Sequence, residues 1–448
     1  MKFKNPRVPD GPFVPGRAGI VAAVLTAFIL APVQALAQSA NAESVEGRPR
    51  PEYDPLGIYL NDALTALGRL QVGPRAGPVS RNAETLGSFI FNSTMELETA
   101  YDDNVYRKPS GQVSDTLFSF KPGLRLASDW NNHSLALDLG GNLGRYLDTE
   151  VENFSDFNAG ASGKVDIDEG ESATLGLNWS RGHQSRDSLD NQNEAKPTTF
   201  QNFNFSSSYS RDAGDIFSRT TVTAGLADFF DNGSVNNDDR DVWTYALRQR
   251  FGHEVDEGSQ IFVEGAGNYR DYSASVDDNR KKLGSHGYEG LVGLVWDVSG
   301  ISFLEFGAGY FQQNYKDPTL RPSKGPSFRG RFLWNPTGLL TLSGNVGREV
   351  AETQQTSASA VVVSTYSLKL DWEALYNLIL SVEGSLQNQK TGGTNREDDT
   401  TRWAFRWRWL IGQNWSLRGA AEYAERQSTS SGSDYKDMRF SIAIVERL

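Results

Sequence analysis

The chain has 448 residues, 44 of them Lys or Arg and 56 Asp or Glu, for a formal net charge of -12, and it contains no cysteine. An acidic balance of this size argues against nucleic acid as a partner, and the missing cysteines leave no disulfide framework and no thiolate metal site. Mean hydropathy is negative and only one long apolar run occurs near the start, which excludes a helical inner-membrane protein.

Lys2, Lys4, Arg7 and Arg17 precede an uncharged run from Ile20 to Ala31, and Ala35-Leu36-Ala37 sets small residues where a signal peptidase cuts. Residues 1–37 are therefore read as a cleaved signal peptide, with the mature chain starting at Gln38. The run is too short to span a bilayer as a helix. Residues 38–86 form a periplasmic lead, in which Leu60, Leu64, Leu67 and Leu70 recur at helical spacing. The spacing predicts a short amphipathic helix around 58–70.

From residue 87 to 448 the pattern changes to long alternating stretches separated by breaks. In Arg402-Trp403-Ala404-Phe405-Arg406-Trp407-Arg408-Trp409 the aromatic rings take every second place and arginines stand between them. Successive side chains on a strand point to opposite faces, so one face is apolar and the other charged. The stretches exceed the usual strand of a soluble sheet and suit a tilted bilayer crossing. Short breaks such as Asp129-Trp130-Asn131, Asp212-Ala213-Gly214-Asp215 and Gly412-Gln413-Asn414 alternate with longer polar ones. Tight periplasmic turns and longer outer loops, with about eighteen strands, bring both chain ends to the periplasmic side. The fold class is thus all-β, a transmembrane antiparallel up-and-down β-barrel.

The phase of each strand divides its residues. Leu135, Leu137 and Leu139, Leu175, Leu177 and Trp179, and the Trp403 series fall outward. Inward fall Lys121, Arg125, Arg248, Arg250, Glu264, Arg270, Arg329, Arg331, Arg348, Lys369, Glu383, Arg406, Arg408, Arg418 and Glu422. An Arg or Lys on the lipid face at the midplane would cost about 2–4 kcal/mol, which enforces the inward phase. A barrel of this width leaves an aqueous channel. The inward charge tilts basic from Arg248 onward, and two readings stay open: an arginine-lined wall selecting an anion, or a solvated cross-strand network. The breaks around 187–197 and elsewhere are too short to suggest a constriction loop, so an open bore, or one closed by the lead, is expected.

Catalytic groupings are few. Of His133, His183, His253 and His286, only His183 has Ser180, Ser185 and Asp187 near it in sequence. Ser and Asp are abundant in every loop, so no enzyme activity, cofactor or metal is expected. Acidic outer loops offer contacts to lipopolysaccharide through divalent cations. Phe303 and Phe311 are inward candidates, but no continuous aromatic ladder for sugar rings is present.

Arg48-Pro49-Arg50-Pro51-Glu52-Tyr53-Asp54-Pro55-Leu56-Gly57-Ile58, then Gly87-Ser88-Phe89, then Tyr101-Asp102-Asp103-Asn104-Val105-Tyr106 resembles the start of the beta-barrel porin type 2 family of outer-membrane proteins. This chain departs by the residues inserted before Gly87. The resemblance implies an outer-membrane barrel of a Gram-negative bacterium, in some members serving exopolysaccharide export with a periplasmic polysaccharide-export protein as partner and an anionic polysaccharide as cargo. The last residues, Met438 to Leu448, resemble the closing strand that barrel-assembly machinery recognises, with Leu448 in place of the usual aromatic. The expected function is passage across the outer membrane, as the barrel of an exopolysaccharide export system. A diffusion porin for small anionic solutes and a structural or adhesive barrel are the alternatives. Lipid, lipopolysaccharide and the assembly machinery are its expected partners.

Overall fold

The computed structural model describes residues 84–448 apart from 191–194, 233–235, 257, 278–279, 299–300, 352, 354–357, 359, 413 and 448. The expected signal peptide over 1–37 and the helix around 58–70 lie outside the described residues. A short strand, β1 (Glu84–Leu86), is followed by β2 (Phe89–Asp102), β3 (Asp115–Ser128), β4 (Ser134–Tyr146), β5 (Phe154–Asp168), β6 (Glu171–His183) and β7 (Thr199–Ala213). Next come β8 (Ile216–Phe229), β9 (Val242–Asp256), β10 (Ser259–Tyr272), β11 (Ser285–Val298), β12 (Ser302–Tyr315) and β13 (Ser323–Thr337). The chain ends with β14 (Leu340–Ala351), β15 (Val361–Leu375), β16 (Leu378–Thr391), β17 (Glu397–Ile411), β18 (Trp415–Ser428) and β19 (Tyr435–Arg447).

Each strand from β2 onward pairs antiparallel with the next, and β19 pairs with β2 from Arg439↔Asp102 to Arg447↔Thr94. These 18 strands close a barrel and leave no free edge. β1 pairs with the first residues of β2, Glu84 opposite Phe91. The tight turns form where the sequence supplies backbone freedom: Gly170, between β5 and β6, has φ +73, and a Cβ there would meet the Asp212 carbonyl oxygen at 2.8 Å.

The outward face is apolar and uncovered, as lipid contact requires: Leu139 is 52% exposed and Val292 67%. Aromatic rings lie across glycines of neighbouring strands there, Trp403 over Gly384 and Trp407 over Gly419. The inward face carries the charged residues. Near the periplasmic ends of β8 and β10 to β13 it also holds an apolar cluster of Phe217, Phe262, Val295, Phe303 and Leu333, with Arg250 stacked over the Phe262 ring at 3.9 Å.

The Tyr101–Tyr106 motif closes the barrel. Arg107 bridges the first and last strands, with Nη2 2.8 Å from Asp102 and Nη1 2.8 Å from Asp437. Asn104 is fully buried and its Nδ2 donates to the carbonyls of Lys108 (2.9 Å) and Lys436 (2.7 Å). The Met438 amide donates to Asp103 Oδ1 at 2.8 Å. Arg107 adopts φ 53, a left-handed conformation held by these contacts.

Candidate functional site

Between β6 and β7 the described residues 184–190 reach across the bore. The run is tied near its root by the Gln184 amide, which donates to the Thr198 carbonyl at 2.7 Å, and by Arg240, whose Nη1 donates to Gln184 Oε1 at 2.8 Å. Arg186 then turns to the β4–β5 connection, where its Nε donates to Glu152 Oε2 at 2.9 Å, and its guanidinium lies 5.7 Å from the Tyr106 ring centroid. Asp187 reaches strands that are neighbours of neither β6 nor β7: its Oδ2 accepts from Arg402 Nη2 on β17 at 3.0 Å, and its carbonyl accepts from Arg426 Nη2 on β18. Asp190 accepts from the Thr353 hydroxyl, beyond β14, at 3.0 Å. This corrects the expectation of short loops and an open bore. A polar break has the same composition whether it stands in water or spans a lumen, so only the distant partners Arg402, Arg426 and Thr353 distinguish the two.

The inward charges anticipated from the alternation fall into two networks. On β9 to β13, Arg250 is 2.8 Å from both Glu264 and Glu305, Arg329 is 2.9 Å from Glu264, and Arg331 is 3.1 Å from Glu305. Arg248 contacts Glu264 and lies 3.3 Å from Glu289. Around the closing seam, Arg406 joins Glu383 (2.8 Å) and Glu422 (2.9 Å), Arg418 contacts Glu96, and Lys121 lies 3.6 Å from Glu98. Arg125 pairs with Asp138 at 2.8 Å, Lys369 with Asp371 at 3.5 Å, and Arg270 donates to the Val350 carbonyl at 2.9 Å. Arg408 stands opposite Arg418 in register.

Two corrections follow. Arg348 departs from the simple alternation: its backbone pairs with Ser364 in the register that sets Val346 opposite Tyr366 on the outer face, yet its Nη2 lies 3.9 Å from where a Cβ on inward Gly325 would stand, beside Phe311. β13 and β14 stop pairing at Arg329↔Gly347, so Arg348 stands where the strands part near the outer rim, away from the hydrocarbon midplane. The basic tilt of the lumen is also offset. Glu96, Glu98, Asp138, Glu289 and Glu305 occupy the same alternating phase as the arginines and pair with them, and Asp371 pairs with Lys369. Their signal was the alternation itself, as it was for Arg402, Arg426 and Arg439.

Other groupings are spoken for. His183 Nδ1 is 3.0 Å from Asp156 and its ring stacks on Phe154 at 4.3 Å, while Asp187 faces Arg402. Asp102, Asp103 and Asp437 lie close enough together to suggest a cation site, but the Arg107 guanidinium supplies the positive charge there. In the outer loops, hydrogen bonds from the Thr319 hydroxyl, the Thr319 amide and the Lys282 amide hold Asp317 down to about 2. Burial, with the Glu152 charge nearby, raises Tyr106.

The family model described as "Putative beta-barrel porin 2" matches residues 78–448. No curated protein matches the chain. Among solved structures, the chain is similar to the FrpB iron transporter from Neisseria meningitidis (F3-3 variant), with 8% identity over 77% of this chain and a TM-score of 0.43. It spans 63% of that transporter's length. It is also similar to OpdK of Pseudomonas aeruginosa, solved with vanillate, with 13% identity over 80% of this chain and 99% of that one and a TM-score of 0.45. OpdL of Pseudomonas aeruginosa gives 11% identity over 80% and 99% of the two chains and a TM-score of 0.43.

Proposed function

The chain belongs to the beta-barrel porin 2 family, as a large outer-membrane β-barrel of porin type, and we propose that it is a diffusion channel for small polar solutes. The observation that carries this reading is the inward run 184–190, fastened across the bore by Asp187 to Arg402 and Arg426. Such a segment narrows a wide barrel to a constriction and favours small solutes over a polymer. Most inward arginines share carboxylates, so the wall as a whole is weakly selective. At the constriction two guanidiniums converge on Asp187, which gives a modest preference for anions.

Export of an exopolysaccharide, the reading implied by the resemblance, needs the segment to leave the bore. The third reading, a structural or adhesive barrel, needs no conduction. No catalytic step enters the proposal. Purified protein in planar bilayers tests it: discrete ohmic steps with modest anion preference are expected, and a protein that folds but never conducts contradicts it. A deletion strain that retains polymer inside the cell and loses it from the surface would favour export instead.

A further inference from the structure

The bore is not lined uniformly. On β5 to β8 the inward positions form rows across the strands: Ser162 faces Gly176, Gly176 faces Ser206, and Ser206 faces Thr223. In the next row outward, Asn178 lies between Gly160 and Asn204. Through these two rows every inward side chain is short and uncharged, charge returning on this face toward the periplasm at Lys164, Asp166 and Arg219, whereas β9 to β13 and the closing seam carry arginine and carboxylate on the same face. Ser162 and Asn178 are exposed although their phase is inward, while Glu264, on the charged side, is 5% exposed. The free space of the lumen therefore adjoins β5 to β8.

This face also has hydrogen-bonding capacity that the chain does not fill. Thr223 is 7% exposed, yet its hydroxyl has no hydrogen-bond partner among the described residues, and neither has Asn202 Oδ1. A buried hydroxyl without a partner is costly, so these atoms gain a hydrogen bond wherever the wall relaxes to admit a polar molecule from the lumen. Charged walls hold water and counterions tightly. Hydroxyl and amide groups exchange hydrogen bonds with a dissolved hydroxyl at little net cost, and each can both donate and accept.

We infer that the face formed by β5 to β8 is the contact surface for a neutral, polyhydroxylated solute, an oligosaccharide, moving through the bore. The inference rests on the diffusion-channel reading and names its solute class. Glycines at 160 and 176 leave room beside Asn178 and Ser206, and the short side chains keep the lane wide. Without aromatic rings along the lane, sugars would be held by hydrogen bonds alone, which suits weak and fast exchange.

The test uses the full-length protein in planar bilayers with KCl as carrier and maltotriose as probe, beside a polyethylene glycol of equal mass. Maltotriose should interrupt the current at concentrations where the glycol does not. In Asn178→Leu/Asn204→Leu, roughly tenfold more sugar should be needed for the same fractional block of that variant's own open-channel KCl current. Thr223→Val, nearly equal in shape, should shift the block in the same direction, and heat-modifiable migration on gels confirms that each variant is folded. Equal block by sugar and glycol in a conducting wild type, or block unchanged in both variants, would overturn the inference. A folded wild type that carries no KCl current would instead overturn the diffusion-channel reading on which it rests.

Discussion

Arg402 on β17 donates from Nη2 to the Asp187 carboxylate at 3.0 Å, joining positions 215 residues apart. The pair fixes a segment that leaves the barrel at β6 to strands that β6 and β7 do not touch. Arg426, two residues from the outer end of β18, adds a second guanidinium on the Asp187 carbonyl. The segment is therefore held from both of its sides, by its own roots and by the far wall.

Glu264 is the hub of the β9 to β13 network, with Arg248, Arg250 and Arg329 all upon it. Glu264→Ala leaves three buried guanidiniums short of a counterion. The folded barrel should lose about 3–5 kcal/mol, read as an earlier midpoint in urea unfolding of the detergent-solubilised protein.

The native chain lacks cysteine, so single cysteines report which face a residue occupies. Ser162→Cys and Asn178→Cys should react quickly with a water-soluble thiosulfonate in outer membranes, while Leu177→Cys should stay protected by lipid. Equal reaction at 177 and 178 would contradict the assigned phase.

Asn104 bonds across the closing seam to the Lys436 carbonyl. Asn104→Ala leaves that carbonyl and the Lys108 carbonyl without their donor, at a cost of about 1–3 kcal/mol. The expected result is slower conversion to the heat-modifiable folded form during refolding, with the final channel unchanged.

Asp317 is held down to about 2 by the Thr319 and Lys282 donors. A depressed carboxyl pKa adds stability that is present above the ordinary Asp range, near pH 4, and lost as pH falls through about 2. Amide exchange at Thr319 and Lys282 should therefore show less protection at pH 2 than at pH 5, after correction for intrinsic rates. Asp317→Asn should remove that difference.

Fold and phase were legible because lipid on one side and water on the other impose an alternation that every strand repeats. The Trp403 series and the Leu135–Leu139 series show it without ambiguity. Arg348 shows where the rule weakens, because alternation locates a side chain only while the neighbouring strands remain paired, and β13 and β14 part beside it. The inward segment escaped for a different reason. Asp187, Arg402 and Arg426 look ordinary in their own neighbourhoods, and only closure of the barrel brings them together. The Asp102–Asn104 motif was visible as a likeness, and its physical meaning, a clasp between β2 and β19, required Arg107 and Asp437 to be seen with it.

The most direct test is single-channel conductance of the wild type against a chain in which residues 186–196 are replaced by a short Gly-Ser linker, with Asp187→Ala alongside. If the segment sets the constriction, the linker chain should conduct severalfold more in KCl, and Asp187→Ala should shift the reversal potential toward chloride by leaving Arg402 without its carboxylate. The same conductance and the same reversal potential in all three proteins would contradict a constriction at this segment.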